Sequence, residues 1–358
     1  MQRVIIRRLD FENYRNLKAG QMEPHAGVNL ISGPNAQGKT NLLEAIWLFT
    51  GGRSFRGAKD ADLVLRGERR AEVNIGFFCE EREQTAQIAI LNGRRNAVLN
   101  GVPLKRASGL IGRFFAVLFS PEHLSLVREG PSFRRNFIDA ALCQVKPGYA
   151  ALLSRYNRTL VQRNALLKEI PRHSALLDTL DVWDERLAAL GESVMKGRAG
   201  YLEKIRGPAQ KIYAGISQNK ENIQLEYQKS AEDLKQALYA SRRDDIATGH
   251  TNFGPHRDDM EITIDSLSAR TFGSQGQKRS VVLALKLAEA ELLFRETGER
   301  PVILLDDVMS ELDSGRQDYL LNHLTDCQVF ITCCEPDAVK QLRDGILFFM
   351  DGGVLSKK

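Results

Sequence analysis

The sequence lacks the features that would place it in a membrane or in an oxidising compartment. Its apolar runs are too short to cross a bilayer, and its start, Met1-Gln2-Arg3, has no apolar signal core. The five cysteines form no C-x-x-C pair and no metal-ligand spacing. This sparse, odd-numbered set argues against a disulfide framework or a zinc site and favours reduced thiols. We therefore expect a cytoplasmic protein.

What is present is ordinary globular composition with a modest positive charge. The chain has 358 residues, of which 43% are hydrophobic and 27% charged, so it can bury a large core and is expected to form two domains. The net charge of +5 favours anionic partners, but only weakly when taken alone.

The strongest motif lies between residues 28 and 52. Val28, Leu30 and Ile31 predict a buried strand, and the stretch 41–50 has apolar residues at helical spacing. Between them runs Gly33-Pro34-Asn35-Ala36-Gln37-Gly38-Lys39-Thr40, which fits G-x-x-x-x-G-K-[ST]. Glycines let a backbone wrap a phosphate, and the unpaired amides of the helix start favour an anion. Lys39 supplies charge to the phosphates and the Thr40 hydroxyl suits Mg²⁺, so ATP with Mg²⁺ is the expected ligand.

A second acidic motif lies near the other end of the chain. The apolar run 302–305 predicts a strand buried on both faces, and it ends in Asp306 and Asp307. The carboxyl edge of such a sheet is where ligands bind, so we expect Asp306 to face Thr40 and to bind Mg²⁺. Asp307 is expected to position or deprotonate the attacking water.

The material between the two motifs predicts an insertion. Strands at 73–78, 87–91 and 96–99, separated by Asn-Gly pairs, predict an antiparallel β subdomain. From Ser132 to about Tyr239 the pattern is helical, with separate helices expected at 176–195 and 202–216. We therefore predict a discontinuous head formed by residues 1–120 and 246–358, with a helical arm at 121–245.

Two stretches carry interpretations that the residues leave open. Between Glu83 and Glu122 there is no acid but five basic residues, which suits a nucleic-acid backbone or, equally, a solvated surface. Arg155, Arg158 and Arg163 in the arm are expected to form a solvated face. Ser274-Gln275-Gly276-Gln277 precedes the long helix predicted at 280–294. It either presents a serine and amides to a phosphate held by a second copy of the chain, or merely caps the helix.

Taken together, the motifs resemble the ABC-type ATPases of the SMC and Rad50 group, and within it the bacterial recombination proteins. The resemblance covers nearly the whole chain. Its carriers are 13–16 (Asn-Tyr-Arg-Asn), 33–40, 53–56 (Arg-Ser-Phe-Arg), 119–122 (Phe-Ser-Pro-Glu), 254–259 (Gly-Pro-His-Arg-Asp-Asp), 273–277 (Gly-Ser-Gln-Gly-Gln), 304–307 and 310–313 (Ser-Glu-Leu-Asp).

The resemblance implies an α/β fold: an ABC-type P-loop ATPase head, with a mixed sheet and an antiparallel β subdomain, and an inserted helical arm. Gly33–Thr40 would be Walker A, and Asp306 with Asp307 would be Walker B and its catalytic acid. Ser274, Gln275, Gly276 and Gln277 would be the signature motif acting in trans, and Ser310 and Asp313 the D-loop. Arg15 and Asn16 would approach the nucleotide. Candidate DNA contacts are Arg53, Arg56, Arg66, Arg70, Lys105 and Arg106.

The implied activity is a slow, DNA-linked ATPase in recombinational DNA repair and replication restart. ATP would close a homodimer on a gap or a single-strand–duplex junction, and mediator proteins would help it load a recombinase. The motifs depart from the wider ABC pattern, because Asp307 replaces a Glu and no switch histidine occurs at 331–334. The main alternative is the ATPase subunit of a transporter. A long-armed structural protein and a P-loop kinase or nuclease are further alternatives. A structural role, satisfied by the Arg257–Asp258 turn, is expected for His256.

Overall fold

The computed structural model describes residues 2–334 and 345–357. The strands run Ile5–Tyr14 (β1), Leu17–Met22 (β2), Val28–Ser32 (β3), Arg70–Cys79 (β4), Arg82–Leu91 (β5), Arg94–Leu99 (β6), Val102–Pro103 (β7), Ala116–Phe119 (β8), Ile223–Gln228 (β9), Asp259–Ile264 (β10), Leu267–Ser268 (β11), Val302–Asp306 (β12), Val329–Cys333 (β13), Gly345–Asp351 (β14) and Val354–Lys357 (β15). The helices run Lys39–Trp47 (α1), Ser125–Arg128 (α2), Pro131–Val145 (α3), Pro147–Glu169 (α4), Leu180–Ile216 (α5), Leu234–Ala240 (α6), Arg242–Thr248 (α7), Ala269–Phe272 (α8), Gln275–Thr297 (α9) and Ser314–His323 (α10).

The chain forms two compact units. The first comprises the described residues up to His123 and from Val282 onwards, and the second runs from Leu124 to Val281. The division therefore falls inside α9. The predicted boundary between 245 and 246 differs from this division because β10, which follows it, pairs with β9 inside the second unit.

The first unit contains two six-stranded sheets. One has the order β15-β14-β3-β13-β12-β8, and its strands from β14 to β8 run parallel. The four apolar residues 302–305 of β12 are buried, as their continuous run predicts, and each such side chain stabilises the fold by about 2 kcal/mol. Because the strands are parallel, the carboxyl ends of β3, β13, β12 and β8 lie along one edge.

The other sheet of the first unit is the predicted antiparallel subdomain, in the order β2-β1-β4-β5-β6-β7. Asn92 and Gly93 join β5 to β6 with positive φ angles of 51° and 70°, and Asn100 and Gly101 join β6 to β7 with angles of 50° and 78°. Two successive positive φ angles define the tight turn that matches strand twist. Buried side chains on alternate positions of β4 form the inner face of this sheet.

The second unit is helical but contains a three-stranded sheet, β11-β10-β9, which the helical prediction for 132–239 missed at β9. The prediction of two helices at 176–195 and 202–216 is wrong, because α5 is one helix of 37 residues that continues through Pro208. Among the described residues, no helix is both long and apolar enough to span a bilayer.

The predicted solvated face on α4 is wrong for Arg163. Its side chain is fully buried, and it donates to Asp184 at 2.6 Å, to Asp245 at 2.7 Å and to Thr251 at 2.8 Å. These partners lie on α5, on α7 and in the loop after α7, so one arginine joins three segments. Arg155 and Arg158 on the same helix are exposed, as predicted.

The stretch 254–259 is partly buried in the second unit, with Asp258 buried and Arg257 exposed. His256 contacts the Tyr156 hydroxyl at 2.6 Å and the Thr251 carbonyl at 3.0 Å, rather than the Arg257–Asp258 turn. Burial lowers the pKa of His256 below its ordinary value. The imidazole thus has a structural position, with partners different from the predicted ones.

Candidate functional site

The glycine loop joins the carboxyl end of β3 to the start of α1. Gly33, Ala36 and Gly38 have φ angles of 152°, 64° and 116°, a region that favours glycine. A Cβ on Gly33 would lie 2.2 Å from the Met350 carbonyl oxygen, and one on Gly38 would lie 2.7 Å from Leu17 Cδ2. Gly33 is therefore required by space as well as by backbone conformation, whereas Gly38 is required mainly by its backbone conformation.

Lys39 points back across the loop. Its side chain is buried, and Nζ donates to the carbonyl oxygens of Gly33 at 2.5 Å and Pro34 at 2.8 Å. Cys334 Sγ lies 3.7 Å from the same Nζ. A buried cation inside the curve of a loop, with the free amides of α1 beside it, is a setting in which phosphate groups bind.

The remaining residues of the loop are held from the outside. The Gly352 amide donates to Gln37 Oε1 at 2.7 Å, and the Gly353 amide donates to the Gln37 carbonyl at 3.1 Å. Cys334 Sγ lies 3.0 Å from Asn35 Oδ1. Sequence reasoning missed this support from the β14–β15 turn, because nothing local to residues 352–353 indicates their partner.

Thr40 and Asp306 meet at the carboxyl edge of the sheet. Thr40 Oγ1 donates to Asp306 Oδ1 at 2.9 Å, so the two motifs face each other as predicted. Burial raises the pKa of Asp306 above its ordinary value, although the hydroxyls of Thr40 and Thr332 both donate to it. Asp307 follows at a φ of 52° and is only partly buried.

The residues at this edge fit a nucleotide with a hard cation. The first turn of α1 has no acidic residue that would repel a phosphate. A threonine hydroxyl and one carboxylate are oxygen ligands of the kind Mg²⁺ takes when phosphates complete its shell. Within residues 2–334 and 345–357, no group of three or more His, Cys, Asp or Glu forms a separate metal cage.

Arg15 and Asn16 have different surroundings. Asn16 Nδ2 donates to the Ala36 carbonyl at 3.2 Å and so contacts the loop. Arg15 instead forms two bonds to the Glu44 carboxylate, at 2.8 and 3.0 Å, and is turned towards α1. The approach of Arg15 to the nucleotide stays a prediction, and in this structure its guanidinium is bound to Glu44.

Glu44 is an acid that sequence reasoning missed. Its side chain is completely buried, and Ser54 Oγ donates to it at 2.5 Å. Burial raises the pKa of Glu44, but the bonds from Arg15 and Ser54 outweigh this effect and hold the pKa below its ordinary range. A lone acid within the apolar helix 41–50 was the signal that could have identified it.

The signature stretch begins α9 in the second unit. The Gln277 amide donates to Ser274 Oγ at 3.2 Å, and the Ser274 amide donates to Gln277 Oε1 at 2.7 Å, which is a reciprocal cap. Ser274 and Gln275 are exposed, whereas Gly276 and Gln277 are partly buried. In the first unit, Ser310 Oγ lies 3.2 Å from Asp307 Oδ1, and Asp313 caps α10 by accepting from the Arg316 amide at 3.0 Å.

The candidate DNA-binding residues all lie in the first unit and are exposed: Arg53, Arg56, Arg66, Arg70, Lys105 and Arg106. Arg70 pairs with Glu72, and Arg56 donates to Asn41 Oδ1 at 3.0 Å. The prediction of five exposed basic residues between Glu83 and Glu122 is wrong for Arg95. Its side chain is 9% exposed, lies 3.5 Å from Asp60 and donates to the Gly52 carbonyl.

The parallel sheet, the glycine loop and the opposed acid define a P-loop ATPase head of the ABC type. Solved SMC heads share this fold. One from Pyrococcus furiosus aligns over 99% of this chain and 96% of its own, with a TM-score of 0.58 at 18% identity.

The family described as RecF/RecN/SMC N terminal domain matches residues 5–356, and the chain belongs to that family and, within it, to the RecF proteins. A curated relative, the DNA replication and repair protein RecF of Agathobacter rectalis, is 41% identical over 333 residues, 92% of each chain. The RecF of Caldanaerobacter subterraneus is 42% identical and covers 94% of this chain and 97% of its own.

A solved structure of the recombination mediator protein RecF with ATP, described within the RecFOR pathway, aligns with a TM-score of 0.93 at 39% identity. It covers 100% of this chain and 98% of its own. These relatives do not favour the transporter ATPase considered as the alternative.

Proposed function

We propose that this chain is an ATP-dependent DNA-binding protein of recombinational DNA repair and replication restart. The observation that carries the proposal is the 2.9 Å bond between Thr40 Oγ1 and Asp306 Oδ1, which brings the two nucleotide motifs together. The names of the relatives, a DNA replication and repair protein and a recombination mediator with bound ATP, support the same activity.

In this proposal the loop residues Gly33–Thr40 bind the phosphates of ATP, with Lys39 as the fixed cation. Thr40 and Asp306 would hold Mg²⁺, which when bound neutralises phosphate charge. Asp307 would orient or deprotonate the attacking water. Asp307 is one methylene shorter than the usual glutamate, and 331–334 contain no histidine. We therefore expect hydrolysis to be slow and to determine how long the ATP-bound state lasts before it switches.

The switch is a homodimer. Ser274, Gln275, Gly276 and Gln277 of one copy would close the ATP bound by the other, with Ser310 and Asp313 at the interface. The exposure of Ser274 at the start of a 23-residue helix supports this role. Its hydroxyl oxygen accepts the Gln277 amide, so its proton is available to a phosphate at the positive end of the helix dipole.

DNA is the proposed partner of the closed dimer, in the form of a gap or a single-strand–duplex junction. The exposed arginines and lysines between residues 53 and 106 would contact its phosphates. Mediator proteins and a recombinase complete the proposed set of partners, and the expected location is the cytoplasm. These assignments rest on the family and on the charge of this surface.

The test combines mass and DNA affinity on the full chain. We would measure light scattering and titrate a labelled gapped duplex with ATP·Mg²⁺ and without nucleotide. Lys39→Met removes the loop cation, and Ser274→Arg blocks the signature. Lys211→Met and Ser154→Arg change exposed residues of the same types on α5 and α4 and serve as matched controls.

We expect ATP to double the mass and to tighten DNA binding in the wild type and both controls, and to do neither in the two test variants. If the wild type stays monomeric and its DNA affinity is the same with and without ATP, the proposed ATP-closed homodimer is wrong. If Lys39→Met fails but Ser274→Arg behaves as wild type, ATP binding stands and the trans signature is wrong.

A further inference from the structure

Thr332 lies near the end of β13, directly beside the acidic motif. Its Cα is paired in register with that of Asp306 on the neighbouring parallel strand β12. The side chain is 1% exposed, so it belongs to the interior of the sheet edge rather than to the surface. It lies within 331–334, where the wider ABC pattern has a switch histidine, and none of the roles given above belongs to it.

The Thr332 hydroxyl makes two bonds to two consecutive acids. It donates to Asp306 Oδ1 at 2.9 Å and accepts the backbone N–H of Asp307 at 2.9 Å. A backbone N–H can only donate, so the hydroxyl accepts from Asp307 and its single proton goes to Asp306 Oδ1. The side chain of one acid and the main chain of the next are thereby held by one atom.

Both acids have an arrangement that needs such support. Asp306 Oδ1 also accepts the Thr40 hydroxyl at 2.9 Å, so the Thr332 bond keeps this oxygen oriented even when Thr40 has another partner. Asp307 lies in the left-handed region at a φ of 52°, which non-glycine residues occupy when their surroundings hold them there.

We propose that Thr332 is a positioning residue for the hydrolysis of ATP. It aims the Asp306 carboxylate at the cation position shared with Thr40, and it fixes the backbone from which Asp307 reaches the attacking water. The inference rests on the proposed function. It adds a residue of β13 to a site otherwise made from the glycine loop and β12.

The burial of Thr332 would fit a purely structural role equally well. The test therefore needs a measurement that a change in folding stability alone would not alter. We would measure the affinity of the full chain for a fluorescent ATP analogue in EDTA and in Mg²⁺, and the Mg²⁺ concentration for half-maximal hydrolysis. Thr332→Val keeps the shape and removes both bonds, whereas Thr332→Ser keeps the hydroxyl.

The matched control is Thr251→Val. Thr251 is also 1% exposed, and its hydroxyl both donates to Asn164 and accepts from Arg163, but it lies in the second unit. It reports the general cost of removing a buried hydroxyl. If Thr332→Val does not fold, Thr332→Ala compared with Thr332→Ser carries the same measurement.

For Thr332→Val we expect unchanged affinity in EDTA, about tenfold loss of the affinity gained from Mg²⁺, and about tenfold more Mg²⁺ for half-maximal hydrolysis. Thr332→Ser and Thr251→Val should keep the wild-type Mg²⁺ dependence. A wild-type Mg²⁺ dependence in Thr332→Val, or a loss in Thr332→Ser equal to that in Thr332→Val, overturns the inference alone. A wild type that binds no ATP overturns the proposed function and the inference with it.

Discussion

Gly33 illustrates how a single residue limits the shape of the nucleotide loop. Gly33→Ala would place a methyl group 2.2 Å from the Met350 carbonyl oxygen, at a φ of 152° that alanine avoids. The backbone of β14 cannot move aside without breaking its pairing with β3. We therefore expect at least a tenfold loss of ATP affinity and a destabilisation of about 1–3 kcal/mol, measured by nucleotide titration and urea unfolding.

Gly67→Ala provides the comparison for that variant. Gly67 has a φ of 97°, but a Cβ added there would meet nothing within 4 Å, so the substitution adds only backbone strain. We expect a loss of about 1 kcal/mol and unchanged ATP affinity. Equal effects of the two substitutions on ATP affinity would show that the contact with Met350 is unimportant.

For single residues, the sequence predicted the chemistry of the loop correctly, but it did not predict which side chains pair with each other beside the loop. The positions of Lys39 and Thr40 follow from local spacing, since a strand, a glycine loop and a helix fix them. The pairing of Arg15 with Glu44 could not be predicted, because it depends on Arg15 turning at a φ of 56° towards a helix residue 29 positions away.

Among the elements of the second unit, α4 depends on one buried charge. Arg163→Met would remove the partner of Asp184 and Asp245, which are themselves 5% and 0% exposed. Asp184 would keep its ion pair with Arg242, but Asp245 would be left buried without its cation. An unpaired buried carboxylate is costly, so we expect a destabilisation of about 3–5 kcal/mol by denaturant unfolding monitored by circular dichroism. Arg158→Met, an exposed arginine on the same helix, should change stability by about 0.5 kcal/mol or less.

A small effect of Arg163→Met, comparable to that of Arg158→Met, would contradict this account of the network. The experiment also tests the correction made to the sequence prediction. Arginine spacing on α4 indicated a solvated face, but helical position alone does not reveal which side carries buried acids from other segments.

The predicted boundaries of helices, strands and units were wrong where contacts between distant parts of the chain determine them. The helix α5 continues through Gly197 and Gly200, which lie in the gap predicted between 195 and 202, because its buried face extends across them from Met195 to Leu202. The strand β9 was missed, and the boundary at 245 was placed too early, for one reason: β9 becomes a strand by pairing with β10, more than thirty residues later.

For the whole molecule, the distribution of charge predicts how DNA binding responds to salt. Arg66→Glu combined with Arg106→Glu would replace two exposed cations of the first unit. We expect at least tenfold weaker binding to gapped duplex near physiological salt. The slope of log affinity against log salt should fall by about 2, because each lost phosphate contact removes about 0.9 from it.

Arg158→Glu combined with Arg186→Glu changes two exposed arginines of the second unit and is the charge-matched control. It should leave the salt slope within about 0.5 of wild type. If this control weakens binding as much as Arg66→Glu with Arg106→Glu does, net charge rather than a defined surface carries the interaction. If neither variant changes the slope, the basic residues between 53 and 106 do not contact DNA.

The place of β3 in its sheet has a consequence for how the protein is made. Its two neighbours are β13 and β14, and the loop after it is held by the amides of Gly352 and Gly353. During translation the glycine loop leaves the ribosome long before either neighbour has been polymerised. At bacterial synthesis rates this interval is on the order of tens of seconds. We therefore expect a nascent chain to bind ATP only after its last strands have been synthesised. Prematurely terminated products would then not compete with the complete protein for the nucleotide.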